Sequence, residues 1–160
     1  MNVLQVFNRQ KSRKLDAPLF RRIGVHLLEN LLGCGDYELG VHLIDSFEMA
    51  ELNETFLGHE GSTDVLTFNH DESARAGRLH GEIFISVEDA MVQARQFRTT
   101  WQAEVVRYFA HGILHLQGHD DLAPAPRRAM KCEENKLVKE LSARFPLGKL
   151  ERGKNGGKKR

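Results

Sequence analysis

Two histidines four residues apart, His111 and His115, are followed by Gly118, His119, Asp120 and Asp121. On a helix, residues at i and i+4 lie one turn apart on the same face. Two imidazoles so placed can converge on one cation at Zn–N distances of roughly 2.0–2.1 Å. A glycine three residues after the second histidine can end the helix, because it takes left-handed geometry at little steric cost. A residue beyond that turn can then come back to the same ion. The segment therefore holds most of a zinc site, with one coordination position left for water.

The identity of the third ligand depends on where the helix stops. His119 extends the i+4 ladder, but on an unbroken helix it would stand about 12 Å along the axis from His111. That is too far to share one ion. If Gly118 breaks the helix, Asp121 is better placed than His119. The ligand set expected is His111, His115 and Asp121, binding one Zn²⁺ per chain, with the choice between Asp121 and His119 open. Carboxylate oxygen binds zinc at roughly 2.0–2.2 Å, so the change of ligand type is compatible with coordination. The spacing His-x3-His-x2-Gly-x2-Asp mirrors the metzincin order of ligand, ligand, turn, ligand. In proteases of the His-Glu-x-x-His type, the glutamate after the first histidine is the general base. Gly112 occupies that position here and cannot carry a proton, which argues against a metalloprotease. Asp120 and His119 could orient a ligand or relay a proton, or could equally be solvated turn residues.

The elements needed to position these groups are legible in the hydrophobic pattern. Residues 2–8 read as a strand. Asp16 can cap a helix with Pro18 in its first turn and Leu19, Ile23, Leu27 and Leu31 at helical spacing, ended by Gly33 and Gly35. Tyr37, Leu39, Val41 and Leu43 alternate as a strand with one buried face. Ser46 starts a second helix through Met49, Leu52 and Phe56, stopped by Gly58 and Gly61. Residues 63–68 and 81–86 read as neighbouring antiparallel strands. Ser86 and Asp89 form a capping box for a helix to about Phe97. Thr100 caps the next helix, whose apolar stripe is Val105, Phe109 and Leu116, with His111 and His115 off it. Pro124 and Pro126 precede a last helix that turns Met130, Leu137 and Leu141 inward. The order βαβαββααα, with late helices clustered, predicts an α+β domain with a small mixed β-sheet packed by helices.

Composition bounds the rest. The 160 residues are 41% hydrophobic and 28% charged, as in an ordinary globule. No apolar run approaches the ~18 residues of a membrane span, so no membrane partner is expected. The first ten residues lack a charged leader followed by an apolar run. With only Cys34 and Cys132 there is no disulfide framework, and a reducing, cytoplasmic setting is expected. The net charge of +1 hides an asymmetry, because the end of the chain holds Lys149, Arg152, Lys154, Lys158, Lys159 and Arg160 against Glu151 alone. The expected organisation is one domain over residues 1–147 and a basic, disordered tail over 148–160 that could contact nucleic acid.

Taken together, the motifs resemble one family. His111-Gly112-Ile113-Leu114-His115-Leu116-Gln117-Gly118 is similar to the signature of the YbeY family. Leu52-Asn53, residues 63–68 (TDVLTF) and residues 81–86 (GEIFIS) resemble its other motifs in the same order, over about Val3 to Leu141. The resemblance implies a metzincin-like α+β fold and a zinc-dependent endoribonuclease specific for single-stranded RNA. It implies action in ribosomal RNA maturation at the 3′ end of small-subunit rRNA and in ribosome quality control, with ribosomal RNA and the small ribosomal subunit as partners. The alternative is a non-catalytic ribosome assembly factor with a structural metal. Two positions depart from the family pattern. Asp121 stands where a third histidine is usual, and Phe56-Leu57 stands where an aromatic residue and an arginine are usual. His59 is the nearest candidate to replace that cation, and Asp64 could either support the site or cap a turn.

Overall fold

Crossover connections set the topology of this chain. The computed structural model describes residues 2–58, 61, 63–71, 78–119 and 121–153. Strand β1 (Asn2–Asn8) leads through helix α1 (Ala17–His26) to β2 (Asp36–Ile44). Helix α2 (Ser46–Leu57) then precedes β3 (Val65–Asn69) and β4 (Arg78–Ser86), and α3 (Val87–Phe97), α4 (Trp101–Leu116) and α5 (Pro124–Arg144) follow. A short 3-10 turn spans Leu147–Leu150. The sheet order is β1-β2-β4-β3. β1 and β4 both run parallel to β2, each reached through an intervening helix, while β3 pairs antiparallel with β4, as the spacing predicts. The mixed sheet and helical layer are the expected α+β arrangement.

The main core lies between one face of the sheet and α1 and α4. Leu4, Leu39, Val41, Ile83 and Ile85 meet Phe20, Ile23, Phe109 and Ile113, all essentially inaccessible to solvent. Burying each such side chain contributes about 1.5–3 kcal/mol, which fixes α4 and therefore the histidines it carries. Gly112 sets how closely α4 approaches. A Cβ there would lie 2.8 Å from Cγ2 of Ile83 on β4, so any side chain would push the helix off the sheet. On the opposite face, α2 covers a smaller cluster of Ile44, Met49 and Leu66.

Local signals hold with small shifts. Asp16, Ser86 and Thr100 cap α1, α3 and α4 by accepting the amides of Leu19, Asp89 and Ala103. The cap of α2 is Asp45, one residue before Ser46, and it accepts the Glu48 amide at 2.9 Å. α1 does not continue regularly to Gly33. It passes into a π turn over Leu27–Leu31, with the Leu32 amide on the Leu27 carbonyl. Pro124 and Pro126 lie inside α5 rather than before it. Amides of the first turn have no intrahelical partner, so proline is tolerated there. The chain beyond Leu147 differs from a tail starting at 148. Leu150 is fully buried, Glu151 bridges Leu15, and the Arg152 amide donates to the Lys14 carbonyl at 2.6 Å. Apolar Leu147 and Leu150 anchor this stretch, and residues 154–160 lie outside the described ones. Cys34 is buried and Cys132 exposed, both free. No helix among the described residues is long and apolar enough to cross a membrane.

Candidate metal centre

α4 ends where the glycine predicts it should. Gly118 has φ of +102°, its amide donates to the His115 carbonyl at 2.9 Å, and the His119 amide donates to Leu114 at 3.0 Å. These two bonds make a Schellman turn, which satisfies the last carbonyls and reverses the chain. The reversal returns Asp121 to the helix face that carries His111 and His115. Oδ2 of Asp121 lies 3.6 Å from Nε2 of His111 and 3.5 Å from Nε2 of His115. Among the described residues these three form the cluster of donors able to hold a metal ion. His119 is exposed and is not in the cluster. Asp120 and His59 lie outside the described residues.

The spacing can be tested against zinc chemistry. A tetrahedral ion with ligands at 2.0–2.2 Å has donor–donor edges of about 3.3–3.6 Å. The two histidine–aspartate separations match that range without rearrangement, so the residues present fit a zinc-sized cation.

Glu134 completes the arrangement from α5, and sequence reasoning missed it. Its carboxylate hydrogen-bonds Nδ1 of His111 and is only 5% exposed. An ionised carboxylate on Nδ1 fixes the tautomer and ring orientation, leaving the Nε2 lone pair for a cation. The signal was present in the sequence. Glu134 sits four residues after Met130 and three before Leu137, in the inward stripe of α5. Burial opposes the charged form of His111, but the Glu134 hydrogen bond and charge, with Asp121 and Asp64, outweigh it and raise the imidazole pKa. Arg127, also missed, reaches back from α5. Its Nε donates to the Asp121 carbonyl at 3.0 Å and an Nη to the Leu122 carbonyl at 3.1 Å, tying down the loop that carries Asp121.

A cleft of about 560 Å³ opens beside this centre, with Asp64, Phe97, Arg107, Tyr108, His111 and Asp121 among its walls. Asp64 immediately precedes β3, and its carbonyl accepts the Ser86 amide at 3.0 Å. Burial pushes its carboxyl pKa up, opposed by backbone amides and by His111. Leu57, by contrast, projects as an exposed apolar side chain at the end of α2.

Known proteins share this architecture. The family profile described as endoribonuclease YbeY matches residues 5–142. A protein named endoribonuclease YbeY from Salinibacter ruber is 32% identical over 141 residues, covering 84% of this chain and 89% of that one. One of the same name from Anaeromyxobacter sp. is 39% identical over 108 residues, 68% of this chain. This chain spans only 56% of that relative's length. The solution structure of TM1509 from Thermotoga maritima superposes with a TM-score of 0.66 at 26% identity, covering 96% of this chain and 99% of that one. The matched region runs through the sheet and the helices on either side of the donor cluster, and on that basis the chain belongs to the endoribonuclease YbeY family.

Proposed function

We propose that this protein is a zinc-dependent endoribonuclease that cuts single-stranded RNA during ribosomal RNA maturation, at the 3′ end of small-subunit rRNA, and in ribosome quality control. The observation that carries the reading is the convergence of His111, His115 and Asp121 beside an open cleft, with Glu134 orienting one imidazole. His111, His115 and Asp121 would hold one Zn²⁺ ion. Bound there, the ion supplies Lewis-acid polarisation of a phosphoryl oxygen and a water acidic enough to serve as nucleophile near neutral pH. The chain's own contribution is to hold the donors ready. Glu134 keeps the proton of His111 on Nδ1, and Arg127 anchors the Asp121 loop through main-chain carbonyls.

Two other readings are less well supported. Peptide hydrolysis in the His-Glu-x-x-His manner needs a carboxylate at position 112, where contact with Ile83 leaves no room for any side chain. A ribosome assembly factor with a purely structural zinc would normally use four protein ligands, and the cluster offers three among the described residues. The exposed Leu57 at the family's arginine position is what favours that second reading. Incubating the zinc-loaded protein with a small-subunit rRNA precursor separates the two. Cleavage by wild type that is lost in His115→Ala supports the nuclease. Intact precursor with both proteins, at full zinc occupancy of wild type, overturns it.

A further inference from the structure

The cleft beside the metal cluster is larger than a metal site requires and has features that metal binding leaves unexplained. Its volume, about 560 Å³, lies within the roughly 300–1,000 Å³ typical of small-molecule pockets. α3 contributes Gln93 and, one turn later on the same face, Phe97. Phe97 is 62% exposed, so its ring serves no core, and it is one of the residues that line the cleft. α4 contributes Tyr108, one turn before His111. Tyr108 is 6% exposed, and its hydroxyl has no hydrogen-bond partner among the described residues. A buried hydroxyl without a partner is costly, and such groups in native folds commonly await a water or a ligand. Burial, with the charges of Asp64, Glu104 and Asp89, pushes the phenol pKa upward, so the group stays a donor. α5 closes the cleft with cationic Arg127 and Lys131.

We propose that the cleft between α3, α4 and α5 is a nucleotide subsite, in which an unstacked base lies on Phe97 with a polar edge on the Tyr108 hydroxyl and its phosphate faces His111 and Asp121. The inference rests on the nuclease reading for its substrate class. The chemistry selects single-stranded RNA over duplex, because a base must leave its stack to enter a cleft walled by three helices. Base–aromatic stacking is tolerant of sequence, so Phe97 provides grip and the Tyr108 hydroxyl adds a modest preference for bases with an acceptor at that edge. Arg127 and Lys131 place positive charge where the flanking phosphate runs.

The test is equilibrium binding of a short, fluorescently labelled 2′-O-methyl oligoribonucleotide to the zinc-loaded protein, read by anisotropy, with cleavage of unmodified RNA measured in parallel. Phe97→Ala should raise Kd at least roughly fivefold, while Phe97→Trp should restore wild-type affinity. Tyr108→Phe should weaken binding about two- to tenfold without lowering the melting temperature, since it removes an unpartnered hydroxyl. Retained affinity in both Phe97→Ala and Tyr108→Phe, with wild type still cleaving RNA, would overturn the subsite and leave the nuclease standing. Variant-sensitive binding without cleavage by wild type would support the subsite and sink the nuclease. Wild type that neither binds nor cleaves would remove both.

Discussion

The Glu134 carboxylate occupies a core position of α5 and binds Nδ1 of His111 across the interface with α4. A charged side chain is rarely buried unless it is paired. Here the partner is an imidazole whose other nitrogen faces Asp121 and His115. The packing of α5 on α4 and the preparation of the candidate metal centre are thus one arrangement. We expect Glu134→Gln to lower zinc affinity by about 10–100-fold, the usual effect of removing a carboxylate behind a metal-bound histidine. Competition against a chromophoric chelator measures it. Unchanged affinity in a folded variant would show that the pair serves packing alone.

The third ligand can be assigned by metal retention. Asp121→Ala should purify with little zinc, because its carboxylate completes the only donor triangle among the described residues. His119→Ala should retain zinc at wild-type stoichiometry, since that side chain is exposed and outside the donor cluster. The opposite pattern would transfer the role to His119. Elemental analysis of the two purified variants decides between them.

Gly112 should tolerate nothing larger. With a Cβ at 2.8 Å from Ile83 Cγ2, Gly112→Ala forces α4 or β4 to shift and should cost about 1–3 kcal/mol. Urea denaturation of the zinc-free protein reads this directly. A variant as stable as wild type would mean that α4 slides on the sheet without penalty.

Alkaline pH should reveal Tyr37. Its side chain is 2% exposed and donates to Glu29 at 2.7 Å. Burial, then the Glu29 hydrogen bond and charge, push its pKa up to about 12. The unfolded chain releases this proton near pH ~10, whereas the folded protein holds it until about 12. The contribution to stability is therefore complete below about pH 10 and is lost as pH rises through about 12. Tyr37→Phe should lose less stability than wild type across that window, as measured by urea midpoints. Parallel curves for the two proteins would contradict the assignment.

Much of this molecule was legible in its residues. The caps at Asp16, Ser86 and Thr100, the alternation in β2 and the turn at Gly118 depend on neighbours a few positions away, so local pattern suffices to place them. The three candidate ligands fall within eleven residues of each other, His111 to Asp121, and one helix terminus brings them together. Glu134, Arg127 and Tyr108 were different. Each gains its significance from a group on another element, the imidazole of His111, the carbonyl of Asp121 and the cleft beside α3. The inward stripe of α5 marks Glu134 as buried, but which group each of the three side chains meets is set by how α5 and α3 pack against α4, a matter of long-range burial. The sequence by itself determined the candidate metal-binding segment and the order of elements. Only the tertiary structure decided what supports that segment and what space opens beside it, because helix packing alone places distant side chains within hydrogen-bonding reach.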